Sequence, residues 1–248
     1  MSFSVRILGS AAMFATAERA ASGFLIEVDG RHLWLDAGPG TWRNLLQHIE
    51  YAQLEGVILT HRHPDHTTDV FQAHHALQHG QREPLPSVPL WAPAETIEAC
   101  CAFVPEFSQS FDLHEVSDGE AIDFAEAKIS FFGMAHPPET LGVRIEHEGA
   151  VFSYSSDSGP EADFDGLARD ADLFICEATY QGNDEDWSGH LNAETAATIA
   201  TRCGVKRLVL THLQGKRDLG IGLVEADKAS SGLKVELADD GKRYEVKR

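Results

Sequence analysis

Short apolar, β-branched runs alternate along the chain with stretches whose apolar residues recur every three or four positions. "SVRIL" and "FLIEV" have the composition of strands, and "FLIEVDGRHLWLDAG" predicts a hairpin turning at Asp29-Gly30. The helical period appears over residues 41–50, gives way to the strand "GVILT", and returns from Thr67 to His79. "REPLPSVPLWAPAE" predicts a proline-marked connection into a helix over 94–103. Then come the strand "KISFFGM", a hairpin "LGVRIEHEGAVFSYSSD" turning at Glu148-Gly149, a short helix over 162–169 and the strand "ADLFICEA". "NAETAATIATRCG" predicts a helix capped by Asn192, with Glu194 in its first turn and Gly204 at its end. "KRLVLTH" predicts a strand, and "LKVELADDGKRYEV" a closing hairpin. No linker, repeat or low-complexity tract interrupts this order, which predicts a single α/β domain over residues 1–248.

Two of the strand runs end alike. Val57-Ile58-Leu59-Thr60-His61 and Leu208-Val209-Leu210-Thr211-His212 are near copies, each an apolar run that stops at a histidine. The first opens onto "THRHPDH", which crowds His61, His63, Asp65 and His66 into one turn. An ordinary core has no use for so many polar groups in one place, because each must be desolvated and paired. Neutral imidazole and carboxylate are what zinc binds, so this turn predicts a metal site. One dense loop holds two metals only if ligands arrive from elsewhere. His136 after "ISFFGMA", Asp157 after "VFSYSS" and His212 after "RLVLT" each follow an apolar run, the placement from which loops converge on a site.

Composition narrows the partners. The chain has 248 residues and a net charge of −19, a surface that repels nucleic acids and anionic membranes. A small anion can still bind where cations dominate the local field. Cys100, Cys101, Cys176 and Cys203 form no CxxC pair, and "MSFSVRILGS" lacks the organisation of a signal peptide, so the cytoplasm is the expected compartment. His74, His75 and His79, and the pair Lys216-Arg217, read as solvated or pocket-rim groups.

"THRHPDH", "AHPPETLGVRI", "YSSDSGP", "CEATY", "GHLNAETAA" and "LVLTH", in that order, resemble the metallo-β-lactamase superfamily, and within it the ribonuclease Z and cyclic-nucleotide phosphodiesterase branch. The resemblance runs from about Ser4 to "VELADDGKRYEV". It implies an αβ/βα four-layer sandwich, two central mixed β-sheets flanked by helices. It implies two Zn²⁺ ions, with Mn²⁺ or Fe as substitutes: His61, His63 and His136 hold one, Asp65, His66 and His212 the other, and Asp157 bridges them. Asp36 in "LWLDAG" would support the site from behind. The resemblance also implies catalytic roles for Glu177 and His190, and Asp65 counts among both ligands and catalytic groups. Two departures stand out. Ser156 occupies a position that is usually glycine, and one hairpin fills the interval from His136 to Asp157 where ribonuclease Z inserts a tRNA-gripping arm.

A two-metal centre suits phosphodiester hydrolysis, because a bound cation lowers the pKa of water to about 7 and a second neutralises charge on the reacting group. The leading expectation is therefore attack by metal-held hydroxide on a small phosphodiester such as a cyclic nucleotide. His190 would act as general acid, since imidazole titrates near neutrality, and Glu177 would orient it. The alternatives are an armless tRNA 3′-processing endonuclease, a thioester or lactone hydrolase, and a noncatalytic metal-binding scaffold. The resemblance also implies a homodimer, for which no stripe in the sequence speaks.

Overall fold

The computed structural model describes residues 2–182, 184, 187–215 and 217–248. Its first sheet lays out β1 (Phe3–Gly9), β2 (Gly23–Val28), β3 (Arg31–Leu35), β4 (Leu54–Ile58), β5 (Val88–Ala92) and β6 (Phe111–Glu115) side by side in chain order. The second does the same with β7 (Ala121–Phe124), β8 (Ala127–Gly133), β9 (Leu141–His147), β10 (Ala150–Tyr154), β11 (Leu173–Glu177), β12 (Arg207–Thr211) and β13 (Lys234–Leu237). Hairpins make one part of each sheet antiparallel, and helical crossovers make the other part parallel. The turn residues Asp29-Gly30 and Glu148-Gly149 all have positive φ, as tight two-residue hairpins require.

Side-chain alternation explains the layers. Ile7, Ile26, Leu35 and Ile58 from the first sheet meet Val143, Phe152, Ile175 and Val209 from the second in a buried core between the sheets. The intervening residues face outward. Leu25, Trp34, Val57 and Leu59 pack under α1 (Thr41–Leu45), α3 (Val70–His79) and α4 (Ala94–Phe103). Phe174, Cys176, Leu208 and Leu210 pack under α5 (Phe164–Ala168), α6 (Ala193–Arg202) and α7 (Leu219–Ala229). A strand covered on both faces reads as an unbroken apolar run, which is why "VILT" and "LVLT" look alike. The result is the expected four-layer arrangement of two mixed sheets flanked by helices.

Several elements differ from the sequence expectation; β6 and β7 fall in a stretch where it placed no strand. "REPLPSVPLWAPAE" contains a strand, β5. Pro89 is tolerated because β5 pairs with β4 only from Leu90 onward, past the position that lacks a donor. The closing segment is not a hairpin: β13 joins β12 in the second sheet, whereas β14 (Arg243–Glu245) crosses to pair with β1 in the first. Local turn chemistry cannot show that two adjacent strands choose different sheets. α7 was not foreseen, because "LGIGLVEADKA" carries two glycines and buries only Gly222 and Ala226. The Asn192 cap is present, with its side chain accepting from Thr195 N.

Candidate metal centre

All the clustered residues leave strand ends at one edge of the sandwich. Beyond β4 the chain pairs Leu59 N with Trp91 O and then turns. His63 stands at the cap position of α2 (Pro64–Thr67), with Pro64 as the first helical residue. That single helical turn aims Asp65 and His66 the same way as His61, and Ala37 N donates to His66 O at 2.7 Å to seat it. Gly38 is needed beneath the turn, since a Cβ there would lie 2.0 Å from Asp65 O. From the second sheet, His136 follows β8, Asp157 follows β10 and His212 follows β12. Glu95 braces the two halves by accepting from Arg62 Nε and from Glu139 N.

The seven residues converge as two groups sharing one carboxylate. In the first, His63 Nδ1 lies 3.1 Å from His61 Nε2 and 3.2 Å from His136 Nε2, with Asp157 Oδ2 at 3.6 Å from His61 Nε2 and 3.9 Å from His136 Nε2. In the second, Asp157 Oδ1 lies 3.3 Å from His66 Nε2 and 3.5 Å from His212 Nε2, and Asp65 Oδ2 lies 3.7 and 3.3 Å from the same two nitrogens. A tetrahedron with bonds of about 2.0–2.1 Å has edges of about 3.4 Å, so both groups fit a small divalent cation. His66 Nε2 and Asp157 Oδ1 are buried with no hydrogen-bond partner, a state that a cation between them would relieve. Glu177, His190 and His212 form a third cluster. Glu177 Oε1 is already paired with His190 Nδ1 and His212 Nδ1 with Thr179 Oγ1, so this cluster reads as a relay and not as a cation site.

Hydrogen bonds behind the ligands set which imidazole nitrogen faces inward. Asp36 Oδ2 lies 2.7 Å from His66 Nδ1 and accepts from Tyr154 OH and Thr60 Oγ1, while Oδ1 accepts from Thr60 N. Thr60 Oγ1 in turn accepts from Ser156 Oγ and lies 3.1 Å from His61 Nδ1. His136 Nδ1 is 2.8 Å from Gly189 O, and His212 Nδ1 is 2.7 Å from Thr179 Oγ1. In all four histidines Nδ1 is the donor, which leaves Nε2 as the nitrogen that faces the cluster. Asp36 thus orients His66 and does not join either group. The sequence reading passed over Thr60, Tyr154 and Thr179. The only sequence trace of the two threonines is the hydroxyl in "LTH" and "EAT". Replacing Asp36 by asparagine puts an amide donor in reach of His66 Nδ1. Asp36→Asn is expected to weaken one of two zinc equivalents about 10- to 100-fold in chelator competition, the usual cost of losing an outer partner.

Asp36, Ser156 and His212 all take the left-handed backbone conformation, with φ of 58, 53 and 54°. This region suits glycine, so the serine at 156 keeps the turn a glycine would make. Its buried hydroxyl bonds to Thr60, which offsets part of the cost.

Burial opposes charge on every histidine of the cluster. At His61, His63 and His136 burial prevails and lowers the pKa, which favours the neutral imidazole that a metal binds. Burial is outweighed at His66 by Asp157, Asp36 and Asp65 and at His212 by Asp157 and Asp65, and both pKa values rise. Burial would raise Asp65 and Asp157 as well, but His66 and His212 outweigh it and hold both carboxyls below the usual range. A group with a raised pKa keeps its proton to higher pH, so a cation entering the second group must displace protons. Zinc uptake there is expected to release more protons than uptake at the first group, and to weaken more steeply as pH falls. Titration calorimetry in buffers of differing ionisation enthalpy reads this directly, and equal release for both equivalents would refute it.

Glu177 and His190 flank the cluster. Glu177 is fully buried and takes only donors: Ser158 N and His190 on Oε1, Thr179 Oγ1 and Leu191 N on Oε2. His190 Nδ1 lies 2.8 Å from Glu177 Oε1, and its ring lies 4.9 Å from His136 and 5.3 Å from His212. The other histidines stand apart. His74 is buried against Ser110 Oγ at 2.7 Å, and His75 and His79 share an exposed helix face. Arg217 pairs with Asp184, and Lys216 lies outside the described residues.

A family model described as Beta-lactamase superfamily domain matches residues 31–213. The chain belongs to this superfamily. As a member it resembles the probable metallo-hydrolase YhfI of Bacillus subtilis, at 26% identity over 217 residues, 84% of this chain and 86% of YhfI. The crystal structure of YhfI superposes with a TM-score of 0.91 at 25% identity, covering 99% of this chain and 100% of that one. Ribonuclease Z of Kineococcus radiotolerans is 28% identical over 292 aligned positions, 94% of this chain and 92% of its own. That alignment is longer than the 248 residues here, so the relative carries insertions. This superfamily member therefore pairs the fold with a histidine–aspartate cluster able to bind metal. Among the described residues no helix is long and apolar enough to cross a membrane.

Proposed function

We propose that the protein is a metal-dependent hydrolase, a di-zinc phosphodiesterase acting on a small phosphodiester such as a cyclic nucleotide. The observation that carries this reading is His190, held by Glu177 beside both ligand groups and belonging to neither. His61, His63, His136 and Asp157 would hold one ion, and Asp65, His66, His212 and Asp157 the other. Ions so held would supply a hydroxide nucleophile near neutral pH and would neutralise charge on the phosphoryl group.

The chain's own groups do the rest. His61, His66, Asp157 and His212 form the sealed floor, at 0–2% exposure, whereas half-buried His63 and, at 6–9%, Asp65, His136 and His190 line the side facing solvent. A diester entering from that side meets Asp65 and His190 first. His190 Nδ1–H is fixed by Glu177, so Nε2 is the atom that carries a proton to the leaving oxygen. Asp65 is the ligand carboxylate nearest solvent, where it would accept a hydrogen bond from the attacking water and orient it.

Size argues for a small substrate. The interval between His136 and Asp157 is taken up by the β9–β10 hairpin, which leaves no arm to grip RNA. The charge of −19 opposes a long polyanion as well. Zinc-loaded protein should hydrolyse bis-p-nitrophenyl phosphate and 3′,5′-cyclic nucleotides, and a gel assay on precursor tRNA should show no cleavage. No turnover above a His63→Ala, Asp157→Ala control would sink the reading, and cleavage of precursor tRNA would redirect it to an armless endonuclease.

A further inference from the structure

Trp187 lies three residues before His190 and is 47% exposed, a large apolar ring left open to water at the mouth of the cluster. Its ring lies 5.3 Å from His136 and 5.4 Å from His190, at 71° to both. It is held in place from below. A Cβ on Gly189 would come within 2.5 Å of Trp187 Cη2 and Cζ3, so the six-membered ring fills the space that the missing side chain leaves. The same glycine's carbonyl accepts from His136 Nδ1, and Trp187 O accepts from His190 N. Tyr180 meets His190 from another side, at 5.8 Å. The indole is thus packed along its inner side and exposed on its outer side, next to a ligand and next to the proposed proton donor.

Exposure of so large a ring has no use in folding, because a fully buried tryptophan would stabilise more. An indole fixed beside a phosphoryl site serves as a stacking surface for a planar ring attached a few bonds from phosphorus. Bases of every sequence stack on such a ring, since each has a π-face. We propose that Trp187 is a specificity-determining residue that stacks on the nucleobase of the substrate, so that the protein acts on nucleotides in preference to base-free phosphodiesters. The inference rests on the phosphodiesterase reading for the position of the phosphoryl group. The competing role for Trp187 is a shield that only keeps water from His190, and this predicts a different signature.

The test compares adenosine 5′-monophosphate with ribose 5-phosphate, which share the phosphate and sugar and differ in the base. Binding to zinc-loaded protein is measured by calorimetry for the wild type, Trp187→Ala and Trp187→Phe. Stacking is worth about 5- to 150-fold in affinity, so the wild type should favour the monophosphate by that factor. Trp187→Ala should abolish the preference and leave ribose 5-phosphate binding and zinc content unchanged, while Trp187→Phe retains most of it. With a cyclic nucleotide as substrate, Trp187→Ala should raise KM and leave kcat and its pH profile in place. Equal binding of the two ligands by the wild type, or a preference that survives in Trp187→Ala, overturns the inference. So does a fall confined to kcat, which is the signature of a shield. A base preference that is lost in Trp187→Ala in a protein without diester turnover supports the stacking role and sinks the phosphodiesterase reading alone.

Discussion

Asp157→Ala should strip the protein of both zinc equivalents. Among the described residues no other one places oxygens in both groups: Oδ2 faces His61 and His136, and Oδ1 faces His66 and His212. Losing an outer-layer partner already weakens metal binding about 10- to 100-fold, and losing a ligand shared by two ions should exceed that at each site. Diester hydrolysis is expected to fall to background at zinc concentrations that saturate the wild type. Metal content after gel filtration and turnover at increasing zinc are the two readouts. Asp157→Asn separates fold from ligation, because the amide keeps the size of the side chain but is a poor ligand. It should give a native near-ultraviolet spectrum and the same loss of metal. A variant retaining two tightly bound ions would show that Asp157 does not bridge them.

His190→Ala should behave in the opposite way, keeping its zinc and losing its rate. His190 lies beside both groups and contributes no atom to the seven-ligand set, so metal content should match the wild type. Removing a positioned general acid costs about 10²–10⁴ in rate. The loss should be largest where the leaving oxygen is most basic. A nucleoside alkoxide needs the proton at the moment of bond cleavage, whereas p-nitrophenolate departs without it. Turnover of 3′,5′-cyclic nucleotides should therefore fall much further than turnover of bis-p-nitrophenyl phosphate. An equal fall for both would remove the proton from the argument, and lost zinc would make His190 a ligand.

The floor of the site was legible because metal ligation leaves a dense and ordered mark. "THRHPDH" places four donors in one turn, and His136, Asp157 and His212 each follow an apolar run that had to be a strand. The structure brings these seven together from both sheets. What supports them was less legible. Thr60, Thr179 and Tyr154 act through one hydroxyl each, and a hydroxyl near a strand end is common in any sequence. Ser156 was visible as a replaced glycine, yet only φ shows that the turn survives and only the distance to Thr60 shows how. Trp187 had no periodic signal at all. Its role depends on a backbone space at Gly189 and on two imidazoles that come near only after folding. The closing strands were misassigned for a related reason. Hydrophobic alternation says that a segment is a strand, and it does not say which sheet has a free edge to receive it.

The division of the ligands between the two sheets has a mechanical consequence. The first group takes His61 and His63 from one half and His136 and Asp157 from the other, and the second group is divided in the same manner. Neither group is complete in a half-molecule. Any ion that binds only the closed sandwich adds its binding free energy to closure. Bound cations would then work as a clasp across the seam between the sheets, and the seam's resistance to opening would become a function of the metal around it. The C-terminal strand β14 crosses that seam as a covalent strap, binding the end of the second half to β1 of the first. With metal bound, two independent fastenings would hold one joint, and only one of them could be undone by a chelator.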